Sequence, residues 1–368
     1  MSNQRLERLR RILTERSLDA LVLLPGPSLF YLTGVSFHLF ERPILGFFPV
    51  EGQPVLVLPE LERAKGETTT IPVKMFTYAE DPNLQVEAIA DAFRALGLAG
   101  ATVGVEPLRM RMNEMELLGR VDPDLRLQAA DDVTVLLRAI KAPEEVAAMR
   151  TAVDIAEAAL RATLPLVKIG MTERELSAEL VVQLLHHGSD PELPFQPIIA
   201  SGPNSALPHA TSSSRQLAAG DSLLIDWGAS HQGYLSDLTR TFAVAEARPE
   251  LAMIHQAVQA SNLAGREAAG PGVACEAVDQ AARDEIESAG YGELFIHRTG
   301  HGLGLEEHEA PYIRAGNQSL LAPGMTFTIE PGIYQQRFAG VRIEDDILVT
   351  EAGSESLSSF PRELQVVG

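Results

Sequence analysis

The sequence is poor in cysteine, in basic residues and in long apolar runs, and each shortage excludes a class of protein. Cys275 is the only cysteine among 368 residues, so no internal disulfide can form and cysteine alone cannot build a zinc site. Lys and Arg number 30 against 50 Asp and Glu, which gives a formal net charge of -20 and argues against nucleic acid as a partner. No apolar run reaches about 18 residues, so we expect no membrane span.

The composition is that of a soluble globular protein, with a hydrophobic share of 45% and few aromatic residues. The first residues show an amphipathic pattern rather than a signal peptide, so we expect a cytoplasmic protein. A chain of 368 residues exceeds what one core usually organises, which predicts two domains. We place them at residues 1–132 and 133–368, with 133–140 as a connecting stretch.

Apolar periodicity predicts different architectures for the two domains. The first alternates helices and strands, which indicates a small α/β domain with elements at 4–16, 20–24, 45–50, 54–58 and 84–98. The second opens with a long amphipathic helix from Pro143. Thr172 and Glu175 then form the capping box of a further helix. After Phe195 the pattern predicts a largely antiparallel sheet, interrupted by helices at 251–268 and 275–289. The fold class is therefore α+β.

A partial internal repeat organises the second domain. Residues 217–228 read LAAGDSLLIDWG and residues 321–332 read LAPGMTFTIEPG. Asp226 in the first copy corresponds to Glu330 in the second. A duplicated unit would place two equivalent strands about a pseudo-twofold axis, so that these carboxylates converge. A chance recurrence of loop, glycine and strand is the alternative.

Four carboxylates adjoin apolar strands in this domain, where an ionised group without a partner would cost several kcal/mol. They are Asp226, Asp237, Glu330 and Glu344. Each alone is open to a simpler interpretation, as a turn cap or an edge-strand surface group. Together they predict a shared cation site. Arg342 lies two residues before Glu344, on the same strand face, where it would orient or partly neutralise the acidic cluster.

Histidines cluster in the segment HRTGHGLGLEEHEAP. His301 lies between glycines that leave the backbone free for the close approach of a ligand, and it is the candidate imidazole ligand. His308 would be a neutral donor or proton carrier, and His209 is a candidate for a similar part. A purely structural histidine is equally consistent with the position of His209.

Four carboxylates and one imidazole suit Mn²⁺ or Co²⁺, with Zn²⁺ as an alternative, and carry too many anionic oxygens for one ion. Two metal ions are predicted. Such a pair, roughly 3.5 Å apart, can activate a bridging hydroxide and polarise a carbonyl, which favours hydrolysis. Neither G-x-S-x-G, H-E-x-x-H nor a P-loop occurs.

The motifs DWG…GYLSDLTRTF, GHGLGLEEHEAP, TIEPGIY and VRIEDDILVT resemble those of the creatinase-fold or pita-bread metallopeptidases, in their Xaa-Pro dipeptidase (prolidase) and aminopeptidase P branch. The resemblance covers the whole chain. It implies a small N-terminal creatinase-like α/β domain followed by a catalytic pita-bread domain with a pseudo-twofold repeat.

The resemblance also implies roles for the candidate residues. Asp226 would bind one metal, Asp237 and Glu344 would bridge both, and His301 and Glu330 would hold the other. Glu330 would also be the general base. His308 and His209 would contact the substrate carbonyl and the tetrahedral intermediate, with Arg342 supporting the ligands.

Within the branch, the leading interpretation is hydrolysis of Xaa-Pro dipeptides by a metal-bridging hydroxide. The 13 residues between Glu330 and Glu344 resemble microbial prolidases. Removal of an N-terminal residue from longer peptides, as in aminopeptidase P, is the alternative, and a peptidase-like binding module without catalysis is a third. A dipeptidase must bind a free carboxylate, for which Arg314 is a candidate.

The resemblance further implies small peptides as the substrates and a homodimer. In such a dimer the loop at 37–42 would reach the site of the other subunit.

Overall fold

The computed structural model describes residues 2–368 and divides the chain into two compact units, the first ending at Arg138 and the second running from Ala139 to Gly368. The boundary expected at 132/133 lies a few residues earlier. The expected connecting stretch is instead occupied largely by a helix, Asp131–Arg138. Its residues Val133 and Leu137 are fully buried, so this segment packs as part of the first unit rather than serving as a linker.

The first unit is a six-stranded mixed sheet with helices. Its helices are α1 (Ser2–Glu15), α2 (Pro27–Thr33), α3 (Arg63–Gly66), α4 (Pro82–Leu96), α5 (Met112–Val121) and α6 (Asp131–Arg138). Its strands are β1 (Ala20–Leu23), β2 (Leu45–Pro49), β3 (Val55–Pro59), β4 (Lys74–Tyr78), β5 (Thr102–Val105) and β6 (Arg126–Ala129). They are ordered β4-β3-β2-β1-β5-β6. The predicted α/β character is confirmed.

The central strands of this sheet are buried throughout, which explains why they read as continuous apolar runs. Helix α4 covers them with Ala88, Ile89, Ala92 and Phe93. The Phe93 ring meets Phe47 edge to face at 5.7 Å between centroids.

The second unit combines long helices with two larger, mainly antiparallel sheets and two small two-stranded sheets. Its helices are α7 (Pro143–Thr163), α8 (Glu173–His186), α9 (Pro249–Ala268) and α10 (Cys275–Ser288). Its first strands are β7 (Ile198–Ser201), β8 (Ser222–Trp227), β9 (Ser230–His231), β10 (Tyr234–Leu235) and β11 (Leu238–Val244). The remaining strands are β12 (Gly300–Gly302), β13 (Glu309–Ile313), β14 (Thr326–Ile329), β15 (Gly332–Gln335), β16 (Ala339–Arg342), β17 (Asp345–Thr350), β18 (Gly353–Ser356) and β19 (Val366–Val367).

The two larger sheets are ordered β19-β11-β8-β7 and β13-β12-β14-β17-β18. An isolated bridge between Thr239 and Glu344 joins β11 to the residue before β17. The two sheets therefore approach one another where the predicted acidic residues lie. Among the residues that the structure describes, no helix has the length and apolar character required to cross a bilayer.

The internal repeat is visible in the backbone. Gly220 and Gly324, at matching positions, both have positive φ, 77° and 87°, which a glycine adopts without steric cost. The amide of Leu217 donates to Met171 at 2.8 Å, and the amide of Leu321 donates to Val273 at 2.8 Å. Each copy thus tethers the loop before a helix, α8 in one half and α10 in the other. The similarity extends beyond the twelve residues in which the sequence shows it.

The predicted capping box at the start of α8 is confirmed. The Glu175 amide donates to Thr172 Oγ1 at 3.2 Å, and the Thr172 amide donates to Glu175 Oε2 at 2.8 Å. The neighbouring Glu173 is fully buried and accepts hydrogen bonds from the amides of Ser201 (2.7 Å) and Ser213 (3.0 Å). Glu173 therefore fixes the end of β7 and the loop before β8 to α8.

We expect Glu173→Ala to lower the free energy of unfolding by about 3 kcal/mol, because buried donors lose the charged acceptor that satisfies them. Urea denaturation should show a lower midpoint. The matched variant Glu144→Ala, at an exposed position in the first turn of α7, should change stability by no more than about 0.5 kcal/mol. Equal midpoints for the two variants would contradict this role for Glu173.

Candidate active site

A cavity of about 690 Å³ opens in the second unit and is lined entirely by residues of that unit. Acidic, imidazole and guanidinium groups converge there beside a few apolar side chains. Its lining residues are Phe195, Gln196, Ile198, Pro208, His209, Asp226, Asp237, His297, Arg298, His301, Glu307, His308, Glu330, Arg342 and Glu344. Every predicted site residue except Arg314 is among them.

The four carboxylates arrive from strand ends of both sheets. Asp226 lies within β8, opposite Thr239 of β11, and Asp237 immediately precedes β11. Glu330 follows β14, and Glu344 lies between β16 and β17. Asp226 and Glu330, which hold matching positions in the two copies of the repeat, therefore both line the same cavity.

The arrangement around His301 has the dimensions of a metal site. The potential ligand atoms of Asp237, His301 and Glu344 all lie within 4.8 Å of one another. His301 Nε2 is 3.4 Å from Glu330 Oε1 and 3.7 Å from Asp237 Oδ2. His301 Nδ1 lies 3.2 Å from the carbonyl of Gly302. A proton on Nδ1 would satisfy that carbonyl and leave the Nε2 lone pair facing the carboxylates.

Burial makes these carboxylates costly to ionise without a cation. It raises the pKa of Asp237 well above its usual range, and the nearby Glu344 and Asp226 add to the shift. Burial likewise raises the pKa of Glu344, with a further contribution from Glu330. The pKa of Glu330 itself is raised by burial to about 7. A divalent cation would remove this penalty by supplying the missing positive charge.

His301 fits the same interpretation. Burial lowers its pKa well below the usual range, and His308 contributes further. The imidazole is therefore neutral, as a metal ligand must be. In addition, Asp226 Oδ1 is buried without a hydrogen-bond partner among residues 2–368. Hard oxygen donors with one neutral imidazole fit divalent metal ions.

Arg342 orients this cluster from the side. Its Nη2 donates to Asp226 Oδ2 at 2.5 Å, and its Nε donates to Thr239 Oγ1 at 3.0 Å. Thr239 in turn donates to Glu344 Oε2 at 2.6 Å. The guanidinium also donates to the hydroxyl of Tyr334 at 2.9 Å. Asp226 and Glu344 are thus held at opposite ends of one hydrogen-bonded chain.

The two residues after Glu344 hold the neighbouring backbone in place, a role that was not predicted from the sequence. Asp345 accepts from Arg240 at 2.8 Å and from Arg362 at 2.7 Å. Burial alone would raise the pKa of Asp345, but these two guanidinium groups hold it well below its usual range. Asp346 accepts from the Asp237 amide at 3.1 Å. The run of three acidic residues in VRIEDD is the sequence feature from which these supporting roles could have been predicted.

His308 and His209 both line the cavity. The His308 ring lies 4.1 Å from the His301 ring, centroid to centroid. Burial lowers the pKa of His308, and Arg298 lowers it further, which favours the neutral form of this imidazole. A neutral imidazole can donate a hydrogen bond to a substrate carbonyl.

Arg314 does not reach the cavity. It is exposed beyond the end of β13, and its Nη1 donates to the carbonyl of Ala315 at 3.0 Å. Arg314 is near His308 along the chain, which is why it was predicted, whereas the arginine that lines the cavity in that region is Arg298. Arg298 and Glu307 were not assigned from sequence, although both lie in the histidine-rich segment.

The glycines flanking His301 have a different reason from the one expected. A Cβ on Gly300 would lie 1.8 Å from the Thr328 carbonyl oxygen, and one on Gly302 would lie 2.3 Å from the Ala310 backbone. Glycine is therefore required because β12 fits tightly between β13 and β14.

Comparisons with known proteins agree with this geometry. Residues 5–140 match the Creatinase/Prolidase N-terminal domain, and residues 147–351 match Metallopeptidase family M24. A probable dipeptidase, PepE, of Mycobacterium tuberculosis is 38% identical over 96% of this chain and 93% of its own length. An Xaa-Pro dipeptidase of Pyrococcus furiosus is 35% identical over 98% of this chain and 99% of its own.

A solved dipeptidase structure from Pyrococcus horikoshii superposes with a TM-score of 0.93 at 36% identity, covering 99% of this chain and all of that one. The fold, with a creatinase-type first domain and a pita-bread second domain, is confirmed. The buried acidic cavity and the similarity along almost the whole chain lead to one conclusion. The chain belongs to metallopeptidase family M24.

Proposed function

We propose that this metallopeptidase hydrolyses Xaa-Pro dipeptides with two divalent metal ions per subunit. The observation that carries the proposal is the convergence of four carboxylates, three of them buried, and a neutral histidine at one cavity. Relatives named as dipeptidases, one of them as an Xaa-Pro dipeptidase, support the substrate class. The apolar part of the cavity wall, formed by Phe195, Ile198 and Pro208, suits a proline ring.

The metal ligands in this proposal are Asp226, Asp237, His301, Glu330 and Glu344. Their oxygen-rich set favours Mn²⁺, with Co²⁺ or Zn²⁺ as alternatives. When bound, such ions polarise a peptide carbonyl and activate water at neutral pH.

The chain's own groups position the substrate and move protons. Glu330 lines the cavity 3.4 Å from His301 Nε2, where it would accept a proton from the attacking water. His308 and His209, on the cavity wall, would donate hydrogen bonds to the scissile carbonyl as charge develops on its oxygen. Arg342 contributes indirectly because it holds Asp226.

A homodimer and a cytoplasmic location belong to the same proposal. The loop expected at a subunit interface carries Leu39 and Phe40, which are 41% and 57% exposed. A second copy would cover this apolar surface. The single Cys275 is buried and free, as is usual for proteins of reducing compartments. Light scattering of the purified chain tests the dimer directly.

Turnover of Ala-Pro, Ala-Pro-Ala and Ala-Ala by Mn²⁺-loaded protein tests the substrate class. We expect release of amino acids from Ala-Pro, and loss of that release on chelation. Glu330→Gln should lower kcat by at least about 100-fold, because proton transfer and a metal ligand are impaired together. Glu351→Gln, at an exposed turn position, should retain full activity. Circular dichroism and metal analysis verify that each variant is folded and loaded.

Two outcomes would contradict this assignment. Preference for Ala-Pro-Ala would make the chain an aminopeptidase P, and undiminished turnover by Glu330→Gln would remove Glu330 from the mechanism.

We also expect Mn²⁺ to raise the melting temperature more at pH 8 than at pH 6. A carboxyl group whose folded pKa is raised keeps its proton to higher pH, and the ion must displace that proton. With the pKa of Glu330 near 7 and the pKa values of Asp237 and Glu344 also raised, metal affinity should fall at least about tenfold per pH unit below 7. Melting with and without metal at each pH cancels the titration of groups outside the site.

The Glu330→Gln variant provides the control for this measurement, because it lacks the proton in question. It should bind Mn²⁺ more weakly and show a shallower dependence on pH. A metal-induced shift that is equal at pH 6 and pH 8 in the original chain would show that Glu330 is already ionised at pH 6.

A further inference from the structure

One carboxylate on the cavity wall lies outside the proposed ligand set. Five carboxylates line the cavity, and the proposed metal ligands account for four of them. The fifth is Glu307, whose side chain is 39% exposed, whereas those of Asp237 and Glu330 are 7% and 15% exposed. Glu307 therefore lies nearer the mouth of the cavity than the ligand set does, where a part of the substrate other than the scissile bond would contact it.

Glu307 has no arginine or lysine partner among residues 2–368. His308 Nε2 lies 3.7 Å from Glu307 Oε1, which is too far for a hydrogen bond. This contact does not hold His308 in its charged form, since burial and Arg298 lower the pKa of the imidazole. Burial and the charge of Asp226 raise the pKa of Glu307. A cationic group brought beside this carboxylate would offset both effects.

Two imidazole rings separate Glu307 from the nearest part of the ligand set. The His308 ring lies 4.1 Å from the His301 ring, centroid to centroid, and His301 Nε2 lies 3.4 Å from Glu330 Oε1. The α-ammonium of a dipeptide is attached one carbon away from the scissile carbonyl, so it stays beside the ligand set when that carbonyl is bound there. A lysine or arginine side chain carries its charge several methylene groups further away, which suits the position of Glu307.

The charge of Glu307 also discriminates against other side chains at this position. An acidic side chain would add negative charge to a wall that already carries five carboxylates. An uncharged side chain of similar length would displace water from Glu307 without giving its oxygens a donor. A basic side chain supplies both a charge of opposite sign and N–H donors.

We propose that Glu307 binds the charged side chain of the first residue of the substrate and thereby selects dipeptides that begin with lysine or arginine. This inference rests on the proposed function and deepens it by naming the class of the first residue. Glu307 takes no part in the proton transfer assigned to Glu330. Its removal should therefore change KM rather than kcat.

Comparison of Lys-Pro with norleucyl-Pro tests the proposal, because the two side chains have nearly the same length and differ in the terminal charge. In the unaltered chain the KM for Lys-Pro should be about five- to tenfold lower. Glu307→Gln keeps the shape of the side chain and should raise the KM for Lys-Pro by about the same factor, with kcat changed by less than about twofold. The KM for norleucyl-Pro should change by less than about twofold.

Three further variants sharpen the comparison. Glu307→Asp keeps the charge on a shorter side chain and should retain part of the preference, whereas Glu307→Lys should favour Glu-Pro over Lys-Pro. Glu293→Gln, at an exposed position outside the cavity lining, is the matched control and should behave as the unaltered chain. Circular dichroism and metal analysis should give the same result for each variant as for the unaltered chain. If Glu307→Gln fails to fold, Glu307→Asp and Glu307→Lys carry the same test.

An equal loss on Lys-Pro and norleucyl-Pro would assign Glu307 to the α-ammonium or to the fold and overturn the proposal. An unchanged KM for Lys-Pro, or a lower metal content in Glu307→Gln, would overturn it as well. Failure of the unaltered chain to cleave any of these dipeptides would instead refute the proposed function.

In that case calorimetry of Mn²⁺-loaded protein with L-lysine and L-norleucine decides about Glu307. Tighter binding of L-lysine that is lost in Glu307→Gln supports the site for a basic side chain. Equal binding of the two amino acids, or binding of neither, overturns it.

Discussion

The second unit is organised around a repulsion. Four carboxylates lie together in the cavity, where ionised carboxylates lose their hydration and repel one another. They are those of Asp226, Asp237, Glu330 and Glu344. The fold tolerates this because the groups are attached to rigid strands, and because Arg342 and Thr239 satisfy part of the cluster. The rest of the negative charge in the cluster has no cationic partner among the residues that the structure describes. A divalent metal ion would supply the missing positive charge.

The supporting residues show how rigidity is obtained. Successive acids after β16 point to alternate sides of the chain, as strand geometry requires. Glu344 bonds to Thr239 on one side, while Asp345 bonds to Arg240 and Arg362 on the other. A buried ion pair of this kind contributes little net stability, yet breaking it is costly. Its role here is to determine where the backbone of Glu344 lies.

Much of the site could be predicted because its chemistry conflicts with local hydrophobicity. A carboxylate at the end of an apolar strand, as at Asp226 and Glu330, is visible in the sequence alone. The repeat supplied the reason for their convergence. Arg298 could not be chosen over Arg314 in this way, since the pairing of β12 with β13 determines which guanidinium enters the cavity. The role of Asp345 was hidden for the same reason, because the side to which each acid points depends on register.

In the first unit the helix boundaries were harder to predict than the strands. Its buried strands are recognisable as apolar runs, but helix α6 occupies the stretch that the sequence predicts to be a connection. Residues 131–138 combine acidic first positions with Val133 and Leu137 at helical spacing, a pattern too short to distinguish from a linker without its tertiary contacts.

The pairing of Thr239 with Glu344 has a consequence for the unfolding of the second unit. Asp226 and Asp237 belong to one half of the duplicated framework, and His301, Glu330 and Glu344 to the other. An ion held by all five would therefore act as a cross-link between halves that are far apart along the chain. Opening of either half would release it, so metal occupancy would couple their local unfolding. In a chain with one cysteine, the metal centre would cross-link distant segments, as a disulfide does in other proteins. The metal-loaded protein would therefore resist proteolysis better than the metal-free protein.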